Sequence, residues 1–194
     1  MTYEAPPRIG DLLRIAAAHA DPLVGATTDD SLGAPTPCAE YDVRALLNHL
    51  FSVVVNFQAL AAKEPADFAE TPDRLAEAGW RERFSVETGR LAAAWSAPGA
   101  DEGIVGAMGL PARTVGSMVL LDLTVHVWDL ARATGRGFEP DPAVVAGLVE
   151  EVEGMAPMAR KMNVFGEGVD LPEGATVFER LLAATGRDPR AWAA

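Results

Sequence analysis

The chain has 194 residues, of which 49% are hydrophobic, and a formal net charge of −12, with a mean hydropathy of +0.09. That length suits one domain with a substantial core. So acidic a balance argues against nucleic acid or an anionic membrane as partner.

The single cysteine, Cys38, leaves no intramolecular disulfide to form, which is the usage of a cytoplasmic protein. The first residues lack a basic stretch followed by an apolar one, so no signal peptide is expected. No uninterrupted apolar run reaches bilayer length either, because Asp122, His126 and Asp129 break the best candidate.

In chain order, apolar spacing at Ile9, Leu12, Leu13, Ala16 and Ala20 predicts a helix over 9–20, with His19 near its end as a surface or dipole-facing histidine. Residues 22–37 read as a Pro- and Gly-containing loop. Asp42 stands where an N-cap belongs, ahead of a helix over 43–62 with Leu46, Leu50, Val53 and Phe57 on one side. His49 falls at the edge of that stripe and faces the core or its rim. A charged amphipathic helix is predicted over 72–95, with Pro72 in its first turn. Residues 98–113 are glycine-rich and suit a short hairpin. A helix over 113–133 then ends on the Gly135 signal.

Asp141 and Pro142 open a further helix, residues 162–174 form a loop, and a last helix over about 175–185 stops at Gly186. The predicted class is all-α. It is a four-helix bundle (9–20, 43–62, 72–95, 113–133) in a single domain, with the bundle over about 9–135 and a helical extension over about 136–194.

Residues 118–131 organise the rest. They are apolar around most of the circumference, as in a buried helix, yet they carry Asp122 and His126, one turn apart on one face. A buried carboxylate is costly unless it is paired, hydrogen-bonded or bound to a metal. Two ligands at i and i+4 with a third from a facing helix is how bundle cores build metal sites, so His49, Asp122 and His126 are the candidate ligands. Imidazoles and one carboxylate suit Zn²⁺ or another first-row dication such as Ni²⁺, and three protein ligands leave a position open for water or substrate. The alternative is a structural polar core, in which these residues bond to one another within a non-catalytic binding protein. Asp129 shares their face and is placed to orient a ligand or bind water, whereas Trp128 packs. Cys38 reads as a packed thiol or, as a weaker reading, a redox sensor.

Three segments carry a resemblance: Pro35-Thr-Pro-Cys-Ala-Glu-Tyr-Asp-Val-Arg-Ala-Leu-Leu-Asn-His49-Leu, Val125-His126-Val-Trp-Asp-Leu-Ala-Arg-Ala-Thr-Gly135 and Arg180-Leu-Leu-Ala-Ala-Thr-Gly-Arg-Asp-Pro189. In this order they resemble an actinobacterial family of the DinB-like superfamily, related to the N-terminal metal-binding domain of mycothiol-dependent maleylpyruvate isomerase. The resemblance implies a DinB-like four-helix bundle and a divalent metal held by His49, Asp122 and His126. It also implies mycothiol as cosubstrate of a metal-dependent transferase or isomerase. In the isomerase the acidic ligand is a glutamate, whereas this chain has the shorter Asp122. The isomerase continues into a further domain, with no counterpart expected here, so the isomerase reaction itself is not carried over. Partners are expected to be a small molecule and a second copy in a homodimer.

Overall fold

A computed structural model describes residues 6–69, 72–105 and 109–192. Its elements are α1 (Ile9–Gly25), α2 (Val43–Ala61), α3 (Trp80–Trp95), β1 (Ile104–Val105), β2 (Leu110–Pro111), α4 (Ala112–Ala133), α5 (Pro142–Lys161) and α6 (Val177–Ala184). β1 and β2 make a minimal antiparallel pair, with Ile104 opposite Pro111 and Val105 opposite Leu110. The fold is all-α, with the short hairpin where the glycine-rich stretch suggested one.

Side chains close the helix ends as their sequence signals indicate. The Asp42 carboxylate accepts from the Ala45 amide at 2.8 Å, and Asp141 accepts from Ala143 with Pro142 in the first turn. Both satisfy a first-turn donor that the helix cannot. α6 opens on a capping box in which Thr176 and Glu179 each bond the other's backbone amide.

Two predicted boundaries are corrected. α1 does not stop near Ala20 but continues to Gly25 with Pro22 inside it. Proline forfeits one backbone donor, but here it lies in the closing turn. Asp21, just before it, ties that turn to α3 by accepting from Ser85 Oγ at 2.7 Å and Thr88 Oγ1 at 2.9 Å. The third helix begins at Trp80, not at Pro72. Residues 74–76 form a separate 3₁₀ turn, and Gly79 breaks the path with φ +73°. The cause is tertiary. Asp73 accepts from Arg44 at 2.5 Å and from Asn48 Nδ2 at 3.0 Å, and Asn48 Oδ1 accepts from the Arg74 amide at 2.8 Å, pinning this segment on α2.

α1 packs on α3 and α4, α2 packs on the same two helices, and α5 rests on α1, α4 and α6. Trp95 is fully buried and its indole N–H donates to the Phe57 carbonyl at 3.1 Å, joining α3 to α2. Phe51 and Phe84 meet edge to face at 5.1 Å, a favoured aromatic geometry. Contrary to the sequence expectation, α2 and α4 are each long and apolar enough to cross a membrane. The apolar windows are 56% and 83% buried inside the protein, so packing accounts for their composition.

α1 approaches the end of α3 closely at Gly10, where a Cβ would lie 2.6 Å from the Ser96 amide nitrogen and 2.8 Å from its Cα. Those are backbone atoms and cannot swing aside. Gly10→Ala is therefore expected to lower stability by about 1–3 kcal/mol, the usual range for overpacking. Urea denaturation checks this; an unchanged midpoint would mean that α1 and α3 part without cost.

Candidate metal centre

Burial over almost the whole surface of α4 follows from its position among α1, α2 and α5. On its α2-facing side the helical period places Asp122 and His126 one above the other. His49, in the second turn of α2, meets them. Asp122 Oδ1 lies 3.9 Å from His49 Nε2 and 3.7 Å from His126 Nε2. The two imidazole rings meet edge to face at 4.9 Å. One ligand atom from each of the three residues lies within 4.8 Å of the others. Both His49 and Asp122 keep part of their side chain exposed, so the cluster opens to solvent while His126 is nearly enclosed. His49 Nε2 is buried and without a hydrogen-bond partner. Native structures rarely leave such an atom unpaired without a reason, and a metal is one such reason.

Behind His126 is a second layer of polar groups. Asp129 is completely buried, and its Oδ2 lies 2.9 Å from His126 Nδ1. Arg187 closes the other side. Its Nε donates to Asp129 Oδ1 at 3.0 Å and Oδ2 at 3.1 Å, and its Nη2 donates to Oδ2 at 2.8 Å. Burial would raise the Asp129 pKa, but the hydrogen bonds from His126 and Arg187 and the Arg187 charge outweigh it. The carboxyl is held below its ordinary range. An ionised carboxylate only accepts, so the 2.9 Å contact fits an imidazole with its proton on Nδ1, which in the neutral ring leaves the lone pair on Nε2, on the side of Asp122; Arg187 Nη2 also lies 3.3 Å from that Nδ1. Burial works against the Arg187 charge too, yet the Asp129 carboxylate holds its pKa above the ordinary value. The sequence placed Asp129 on the ligand face; in the structure its partners are His126 and Arg187. Trp128 packs, with the Arg132 guanidinium 5.5 Å from its ring centre.

The loop ahead of α2 brings two more groups to the site. Pro35 and Asp42 form an isolated bridge, and the buried Thr36 hydroxyl lies 2.9 Å from the Cys38 carbonyl and 2.8 Å from that of Tyr41, which bends the loop over the bundle. Tyr41 stacks on His49 with ring centres 5.2 Å apart, and its hydroxyl reaches His49 Nδ1 at 3.5 Å. Burial, then the charges of Cys38, Glu40 and Asp122, push the phenol up, so it stays protonated. Cys38 has His126 and Asp129 within metal-sharing distance. Asp129 is already committed to Arg187, however, and burial, only partly opposed by Arg187, raises the thiol. His19 stays on the surface, edge-on to Phe138 at 6.5 Å, away from the site.

Tyr41 and Arg187 were not singled out from the sequence. Tyr41 directly precedes the Asp42 cap, a usable local signal. Arg187 follows the Gly186 stop, 58 residues from Asp129, and no spacing connects them.

A helical bundle whose second and fourth helices face each other through two imidazoles and a carboxylate is the class that fold and site define. The chain belongs to the family described as mycothiol maleylpyruvate isomerase N-terminal domain, which matches residues 13–131. That span contains His49, Asp122, His126 and Asp129 and ends before α5, α6 and Arg187. Two uncharacterized proteins of Mycobacterium tuberculosis, from strains CDC 1551 / Oshkosh and H37Rv, are each 32% identical over 123 residues, which is 58% of this chain and 60% of the relative. The chain thus spans less than two thirds of these curated relatives. No solved structure matches.

The raised thiol gives a prediction about Cys38. Iodoacetamide at pH 7.5 is expected to alkylate it more slowly than a model peptide thiol, because less of it is thiolate. Mass spectrometry over time measures this; labelling no faster than the peptide's removes the redox-sensor reading, and only faster labelling would restore it.

Proposed function

We propose that this protein is a divalent-metal-dependent enzyme of the thiol transferase or isomerase type, with His49, Asp122 and His126 as ligands and mycothiol as the thiol. The observation that carries the reading is the bare, buried His49 Nε2 beside Asp122 and His126. Tetrahedral zinc sites with bonds near 2.0–2.1 Å separate their ligand atoms by roughly 3.4 Å. Asp122 Oδ1 is already 3.7 and 3.9 Å from the two imidazole nitrogens, a distance that small side-chain rotations close. The donor set fits Zn²⁺, and Ni²⁺ next.

A bound dication would supply one thing, an acid that lowers the pKa of a coordinated thiol or water to near neutrality. The protein's own groups do the rest. Asp129 holds the His126 ring by its Nδ1–H. Tyr41 stacks on His49 and offers its hydroxyl oxygen to that ring's Nδ1–H, the tautomer that leaves Nε2 free to bind. Asp122 supplies a negative charge that partly balances a dication, and the partial exposure of His49 and Asp122 gives a small molecule access. A cytoplasmic location goes with this reading, supported by a single cysteine that has no disulfide partner within the chain. The family's name also describes an isomerase, but the transformation proposed here goes no further than thiol-dependent chemistry on an electrophile.

Zinc-loaded protein incubated with mycothiol and monochlorobimane is expected to form the thioether faster than mycothiol alone. His49→Ala is expected to lose that rate by a hundredfold or more, given that metal-site catalysis depends on the full ligand set, a rough scale. Mass spectrometric counting of the adduct checks it. Equal rates with and without wild-type protein would favour the non-catalytic binding protein.

A further inference from the structure

We infer that Arg187, which lies outside the family-matched segment, is a positioning residue of the metal centre: its guanidinium locks the Asp129 carboxylate, and that carboxylate aims His126 Nε2 at Asp122 and His49. This rests on the metal-site reading above. Three observations carry it.

The first is how Arg187 reaches the site. α6 ends in a Schellman turn, in which the Gly186 amide donates to the Ala183 carbonyl and the Arg187 amide donates to that of Leu182, both at 3.0 Å. Gly186 sits at φ +89°, and a Cβ there would fall 2.6 Å from Gly166 Cα. Only glycine makes this turn, and the turn sends the next side chain back to α4.

The second is the way the guanidinium is used. Nε and Nη2 grip both carboxylate oxygens, while Nη1 lies 3.4 Å from the Thr185 carbonyl and 3.3 Å from its hydroxyl. A two-pronged grip fixes the plane of a carboxylate, which a lysine ammonium does not. With that plane fixed, Oδ2 has one direction left for His126 Nδ1–H at 2.9 Å.

The third is the energetics of burial. Removing two charges from water costs about as much as their attraction returns, so a buried pair contributes little net stability. Apolar side chains would fill the same space at least as well. What the pair adds is direction, and it adds it at the one imidazole that is both nearly enclosed and a proposed ligand.

The test uses the full-length chain and two readouts. In metal-free protein, ¹⁵N-resolved histidine NMR reports which nitrogen of His126 carries the proton. Competition with a chromophoric chelator gives the Zn²⁺ affinity. Wild type is expected to show a single tautomer, protonated on Nδ1. Arg187→Gln is expected to show mixed tautomers and zinc binding weaker by about 10–100-fold, the usual cost of losing an outer partner of a metal-bound histidine. Arg187→Lys should fall between them. Arg190→Ala, which breaks only the exposed pair with Glu179 in the same segment, should leave both readouts unchanged. If Arg187→Gln does not fold, Arg187→Lys carries the test, with its intermediate change in both readouts as the expected result. A folded Arg187 variant with an unchanged tautomer and unchanged zinc affinity overturns the inference while the metal reading stands. A tautomer that changes in a protein that never binds zinc overturns the metal reading and leaves the positioning role of Arg187 intact.

Discussion

The geometry of the candidate centre depends on one buried carboxylate. Asp129 has no contact with solvent, and an isolated ionised group there would be prohibitively costly. It persists as an anion because His126 donates on one side and Arg187 on the other. That arrangement decides the proton on His126 and therefore which imidazole nitrogen faces Asp122. It also ties the turn after α6 to α4 through Arg187. The C-terminal extension is thus coupled to the site chemically as well as by packing.

The centre is two layers with different characters. The outer layer of His49, Asp122 and the Nε2 edge of His126 is under-bonded: Asp122 Oδ1 lies 3.7 and 3.9 Å from the two Nε2 atoms, and His49 Nε2 has no hydrogen-bond partner. The inner layer of Asp129 and Arg187 is saturated with hydrogen bonds. A structural polar core satisfies its own groups, because a partly satisfied network is worse than an apolar one. Here the unpaired His49 Nε2 lies in the layer whose side chains are partly exposed, and the satisfied groups lie behind it. Tyr41 and Cys38 complete the rim from the loop before α2.

Much of the fold was readable because it is written in short-range signals. Asp42, Asp141 and Gly135 mark helix ends by local chemistry, and the i, i+4 pair on α4 follows from helical period alone. His49 was readable as a second polar anomaly in a stripe of leucines. The errors came where tertiary contacts override local rules. Asp21 secures a closing turn that contains Pro22, and Asn48 and Arg44 hold residues 73–74 out of α3. Arg187 was inaccessible for the same reason. Its partner lies on another helix, and only the turn at Gly186 brings the two together. Asp129 was placed on the right face, but its role could not be assigned without Arg187.

The measurement that tests the central claim most directly is the metal content of protein purified without a metal-binding tag, by elemental analysis, beside His49→Ala. The account predicts about one equivalent of zinc or nickel per chain, as for a single three-ligand site, and its loss in the variant. No metal in the wild type, even after reconstitution with excess Zn²⁺, would contradict it and return His49, Asp122 and His126 to a structural role.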